Sequence, residues 1–147
     1  MDLNEKSISV KLVFNEINKN KSIIQNCQKM QSYMNKNFNF GYDTIEDILN
    51  DLKDELNEMY DEIENNNIDK LEMELGDIIF VLCNLSNKFG LELDKALEKS
   101  TNEYQKRIEF IENKIGNKNL TKENINQLWR EAKDRNEEEK ITSPNKR

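Results

Sequence analysis

The chain has no histidine, one proline, four glycines and two cysteines in 147 residues. Without histidine, the Glu-x-x-His pairs of di-iron helical bundles cannot be built, so that competitor for an acidic helical site is set aside. One proline and four glycines leave long stretches free of breakers, which favours helices. Cys27 and Cys83 are too few for a disulfide framework and are expected to be reduced thiols of a cytoplasmic protein. No apolar run approaches the roughly 18 residues that span a bilayer. The start Met1-Asp2-Leu3-Asn4-Glu5 carries no signal-peptide hydrophobic region, so no membrane partner is expected. A net charge of -7 argues against a nucleic-acid backbone as partner. Nucleotides remain open, because a bound cation can carry them.

Hydrophobic and charged residues each make up 35% of the chain, so a core must come from ordered apolar stripes. Residues 5–36 are ambiguous: Val13, Ile17, Ile24, Cys27 and Met30 have helical spacing, Asn18 to Ser22 interrupts them, and Ile8 to Phe14 also suits extended chain. Residues 35–42 read as a connector. A helix is predicted from Asp43, whose pairing with Glu46 resembles a capping box. Its stripe of Ile45, Ile48, Leu52, Leu56 and Ile63 ends at the asparagines 65–67. The next helix runs from Ile68 to Phe89 with Gly90 as its C′ residue. Its run from Ile78 to Cys83 is apolar all round and is expected to be buried. A helix over 94–115 follows, then a short one from Thr121, and a disordered tail from Asn136. The fold class is an all-α helical bundle. Residues 1–37 are a helical or irregular extension, 38–135 the main domain and 136–147 the tail.

Glu55 and Glu58 lie three apart on one predicted helix, and Glu74 and Asp77 repeat that spacing on the next. Residues i and i+3 share a helix face, so antiparallel helices bring four carboxylates together. Four carboxylates without histidine suit Mg²⁺ or Mn²⁺ rather than zinc. Ordinary solvated charges explain the spacing equally well, and Glu74 has a possible partner in Lys70. Two features favour a site. Asp77 directly precedes the most apolar run, where an unpaired carboxylate is costly. Gly76 sits in a helix interior at a cost of roughly 0.5–1 kcal/mol, which suggests close approach to the backbone. Asn84, seven residues beyond Asp77, either completes a polar wall or bonds between helices.

The run Asp54-Glu55-Leu56-Asn57-Glu58, followed by Glu74-Leu75-Gly76-Asp77, resembles the MazG family of nucleoside triphosphate pyrophosphohydrolases, whose motif is E-E-x-x-E, a spacer, then E-x-x-D. Asn84-Leu85, Leu93-Asp94-Lys95-Ala96-Leu97, Arg107 and the run Leu128 to Lys133 extend the likeness to the second MazG domain of bacterial enzymes, over about residues 38–135. The resemblance implies an all-α, Mg²⁺-dependent enzyme that cleaves an NTP or dNTP to the monophosphate and pyrophosphate. It implies Glu55, Glu58, Glu74 and Asp77 as metal ligands and catalytic residues, and a homodimer or homotetramer. It implies Asn84, Arg107, Trp129 and Lys133 as nucleotide-binding, although Trp129 also fits core packing with Ile125 and Leu128. Asp54 replaces the first Glu of the motif at a position not expected to bind metal. Asp51 and Glu103 stand where relatives carry lysines, with Lys53 or Lys106 as possible replacements. A non-catalytic helical oligomer that senses nucleotide or binds a protein is the alternative. A pyrophosphohydrolase acting on a phosphoribosyl nucleotide is a third reading.

Overall fold

The computed structural model describes residues 3–20, 22–116 and 120–142. Among these it has six helices and no strand: α1 (Leu3–Ile17), α2 (Ile23–Phe38), α3 (Ile45–Glu64), α4 (Ile68–Lys88), α5 (Leu93–Ile115) and α6 (Lys122–Thr142). The all-α class expected from the scarcity of breakers is therefore observed. No helix among the described residues is long and apolar enough to cross a membrane. The chain divides into two compact units, Met1–Lys95 and Ala96–Arg147, with the boundary in the first turn of α5; each is described by itself.

The first unit is built on the hairpin of α3 and α4. The cap of α3 is Thr44 rather than Asp43. Its hydroxyl accepts from Asp47 N at 3.1 Å while the Asp47 carboxylate accepts from Thr44 N at 3.2 Å. Both pairs carry cap chemistry, and the extended backbone at Thr44 decides which one is used. Asn66 turns the chain through the left-handed region, and the Asn67 side chain caps α4 by accepting from Lys70 N at 3.3 Å. At the far end of α4, Gly90 has φ +64, and Leu91 N donates back to Ser86 O at 2.8 Å. That is the glycine stop expected there.

α1 and α2 are helical throughout, so Ile8 to Phe14 is not extended. The interface of α2 with α4 is polar. Gln28 Nε2 donates to Asn87 Oδ1 at 3.0 Å and Leu91 O at 2.9 Å, and Gln28 Oε1 accepts from Leu93 N at 3.0 Å. Asn87 Nδ2 donates to Gln28 O at 3.0 Å, and Gln31 Nε2 to Phe80 O at 2.9 Å. Gln28, Gln31 and Asn87 thus find donors and acceptors across the interface, which offsets the cost of their desolvation. Ser22 caps α2 and donates its hydroxyl to Asp94. The aromatic series Phe14, Tyr33, Phe38 has centroids 6.4 and 6.2 Å apart and includes both α1 and α2. α2 packs on α4 within the first unit.

Ile48, Val81 and Cys83 form the buried apolar centre of this unit. The expectation that Ile78 to Cys83 is buried all round does not hold: Ile79 and Phe80 are 46% and 49% exposed. One chain supplies too few partners to cover every side of α4. In the second unit Ile111 and Ala132 are buried. Here α6 stays helical to Thr142, where a disordered tail was expected from Asn136. Asn136 is itself buried and donates to Glu103 O at 3.4 Å. The acidic run that suggested disorder lies among cations: Arg135 pairs with Glu139 at 3.5 Å and Lys140 with Glu103 at 2.6 Å. Residues 143–147 of the expected tail lie outside the described residues.

The close approach inferred at Gly76 is also absent, since a Cβ there would meet nothing within 4 Å. Gly76→Ala is therefore expected to stabilise the metal-free protein by about 0.5–1 kcal/mol, by lowering the entropy of the unfolded chain. A raised urea midpoint with unchanged slope would show this. A lowered midpoint would mean that something packs on this backbone in solution.

Candidate active site

The α3–α4 hairpin makes the acidic pairs meet by simple counting. Glu58 and Glu74 each lie eight residues from Asn66, and Glu55 and Asp77 each lie eleven. In an antiparallel pair, residues equidistant from the turn stand at the same height. The i, i+3 spacing then turns each pair toward the other helix. Accordingly, one carboxylate oxygen from each of Glu55, Glu58 and Glu74 lies within 4.8 Å of the others. Asp77 is outside this tight triplet, yet near enough for its charge to raise the pKa of both Glu55 and Glu74.

The cluster is electrostatically loaded. Burial, and then the charges of Glu58, Asp77, Asp51 and Glu74, lift the Glu55 carboxyl from 4.5 to about 7. Glu74 is raised by burial first, then by Glu58 and Asp77. Glu55 Oε2 and Glu74 Oε2 are shielded from water with no donor against them. Glu74 does not pair with Lys70, which lies 4.0 Å from Glu62 instead. Among the described ion pairs, none brings a lysine or arginine to these four acids. Shielded carboxylate oxygens lacking donors are costly as anions and need a counter-charge. An all-oxygen donor set open on one side fits a hard divalent cation of the Mg²⁺ type.

The other sequence candidates are placed elsewhere. Asn84 does not join the carboxylates and does not bond between helices. Its amide leans on Phe80 O of its own helix at 3.5 Å and faces a cavity beside α2. Arg107, Trp129 and Lys133 belong to the second unit. There the Arg107 guanidinium lies 5.3 Å from the centre of the Trp129 ring and 3.4 Å from Glu103. Trp129 also meets the Tyr104 ring at 5.9 Å. Glu103, standing where a lysine was expected, holds both Arg107 and Lys140, and the bond from Lys140 keeps its pKa low. Lys133 is exposed.

Two residues had no signal in the sequence. Lys140 lay in the stretch taken for a disordered tail. Tyr42 lay in the connector, where no periodicity operates. Its hydroxyl donates to Asp51, one turn before Glu55 on α3. Burial and that bond push the Tyr42 pKa up, so the hydroxyl stays a donor.

Comparison with known proteins agrees with this geometry. Residues 43–110, just under half of the chain, match the MazG nucleotide pyrophosphohydrolase domain, and this segment contains all four acids. Two proteins named nucleoside triphosphate pyrophosphohydrolase, from Escherichia coli strains K12 and O157:H7, are similar. Each is 25% identical over 117 residues, covering 75% of this chain and 44% of the relative. The chain thus spans less than half the length of these relatives.

The raised Glu55 pKa has a signed consequence for stability. The folded state holds the proton more tightly than the unfolded chain, so Glu55 costs stability progressively as pH rises from about 4.5 to about 7. Above that window the cost is constant. The midpoint of Glu55→Gln minus that of the wild type, both metal-free, is therefore expected to grow across this window and then level off. Millimolar Mg²⁺ is expected to raise the wild-type midpoint and shrink that difference. Parallel pH profiles for the two proteins, measured by thermal unfolding, would mean Glu55 is not strained by its neighbours.

Proposed function

We propose that this chain, through the MazG domain of residues 43–110, is a divalent-metal-dependent nucleoside triphosphate pyrophosphohydrolase. It cleaves an NTP or dNTP between the α and β phosphates, releasing the monophosphate and pyrophosphate. The observation that carries this reading is the triplet Glu55, Glu58 and Glu74, drawn within 4.8 Å with buried oxygens that lack donors.

Glu55, Glu58, Glu74 and Asp77 would hold Mg²⁺, or Mn²⁺, which supplies phosphate-charge neutralisation and a more acidic bound water. The protein's own contribution is to preorganise these four carboxylates on two rigid helices, level with each other across a short turn. A carboxylate with spare capacity can accept the proton of the attacking water, and Glu58, the exposed member of the triplet, is our candidate. In the second unit, Arg107, Trp129 and Lys133 are the candidates for nucleotide binding.

A homo-oligomer, dimer or tetramer, accompanies this reading. The outer stripe of the hairpin is apolar yet uncovered: Leu49, Ile63, Ile68, Leu75 and Ile79 are 42–66% exposed. Exposed apolar side chains of this number on two neighbouring helices support an interface with a second copy. A non-catalytic nucleotide sensor is favoured by one observation, the engagement of Arg107 by Glu103.

Pyrophosphate release from a panel of NTPs and dNTPs with Mg²⁺ separates the two readings. Glu55→Gln is expected to lower kcat/KM by about a hundredfold or more, and the exposed neighbour Asp54→Asn by less than about threefold. Equal losses would show that the ligand register is wrong. No release from any nucleotide would leave the sensor. Lys133→Ala is expected to act mainly on KM, since a phosphate contact is made in ground and transition states alike.

A further inference from the structure

The first unit also contains a feature that the matched residues 43–110 cover only in part. A cavity of about 570 Å³ lies between the N-terminal helices, the 39–42 connector and α4. Its apolar walls include Phe14 of α1, Met30 and Met34 of α2, Phe40 of the connector and Phe80 of α4. A second cavity of about 380 Å³ adjoins it, and the two share Gln31, Tyr42 and Asn84. Sizes in this range are those of small-molecule sites, which combine apolar walls with a few fixed polar groups.

Tyr42 connects this space to α3, the helix that carries Glu55 and Glu58. Its ring lines both cavities, while its hydroxyl bonds to Asp51 on α3. Lys88 Nζ donates to the carbonyls of Tyr42 and Asp43 at 3.2 and 3.4 Å, which pins the connector to the end of α4. Glu55 feels the charge of Asp51, and Tyr42 feels that of Glu55. A ligand that fills the cavity and reaches the acids must therefore have a flat apolar end and an anionic end.

The polar lining narrows the ligand further. Gln31 already gives its NH₂ group to Phe80 O and accepts from Asn87. Asn84 has only a long bond of 3.5 Å to its own helix. It can exchange that bond for one to a ligand, and its amide offers both a donor and an acceptor. A neutral amide at the edge of an aromatic-walled cavity suits the hydrogen-bonding edge of a heterocyclic base.

We infer that this cavity holds the base of the nucleotide, with Phe40, Tyr42 and Phe80 as apolar walls and Asn84 reading the base edge. Most of the apolar wall then comes from the N-terminal helices and connector, outside the matched residues 43–110, while the base edge is read by Asn84 within them. The inference rests on the pyrophosphohydrolase reading for its substrate class, but nucleoside binding tests it without hydrolysis.

The decisive experiment titrates the full chain, without Mg²⁺, with millimolar adenosine, guanosine, cytidine, uridine and thymidine, following side-chain resonances by NMR. At least one nucleoside is expected to shift Phe40, Tyr42, Phe80 and Asn84. The shifts should be lost in Phe40→Ala, a highly exposed position whose truncation spares the core, and kept in Glu55→Gln. Pyrophosphate alone should not produce them. In turnover, Phe40→Ala is expected to raise KM about tenfold. Asn84→Asp, now acceptor only, is expected to shift the kcat/KM ratio about tenfold toward bases bearing an amino group. Shifts confined to other residues, or none with any nucleoside, would overturn the inference. So would the same resonances moving on dilution alone, which would give the cavity to a second copy of the chain. Nucleoside shifts without hydrolysis of any triphosphate would sink the enzyme reading and leave the cavity assignment standing. Hydrolysis with no nucleoside effect here would do the reverse.

Discussion

The repulsion among carboxylates held level across a three-residue turn is the constraint on which the rest of the first unit depends. Glu55 and Glu58 of α3 face Glu74 of α4, and those helices are joined by a capped link at Asn65 to Asn67. Nothing described on the chain neutralises them. The protein therefore holds an unfavourable charge arrangement, which a proton relieves at low pH and which, in the proposed function, a cation relieves at neutral pH. Strain of this kind at a folded site is the usual mark of function rather than of stability.

The surroundings keep that hairpin rigid. The amides of Gln28, Gln31 and Asn87 bind α2 to α4 through geometrically specific hydrogen bonds rather than through apolar area. Such an interface allows one register, because a slip would leave several buried amides unpaired. The same helices form the walls of the cavity, so one set of contacts positions α4 for the acids and shapes the space beside them. The second unit has its own polar organiser in Glu103, which gathers Arg107, Lys140 and Asn136.

The hairpin and its acids were legible because two independent signals agree there. The apolar stripe sets the helices, and the i, i+3 acids fall on one side of each. The α3 cap was misplaced by one residue because Asp43 with Glu46 and Thr44 with Asp47 have the same spacing. Gly76 misled because glycine in a helix signals close approach only when something is near, and here nothing is. Ile79 and Phe80 were expected inside because composition cannot tell a core face from one left uncovered. The α2–α4 amides were invisible, since glutamine and asparagine read as solvent-facing in any periodic pattern. The helix beyond Asn136 was missed because its charges suggested disorder, while one of its ion pairs, Lys140 with Glu103, joins residues more than thirty positions apart.

The central claim is that a divalent cation takes the place of a proton among these carboxylates. Calorimetric titration of Mg²⁺ at pH 7, in buffers of different ionisation enthalpy, measures both binding and the protons exchanged. With Glu55 near a pKa of about 7 in the free protein, the account predicts release of about half a proton per cation bound at pH 7. That release should shrink at pH 8 and disappear in Glu55→Gln. Absence of binding, or binding of Mg²⁺ with no proton released at pH 7, would contradict it.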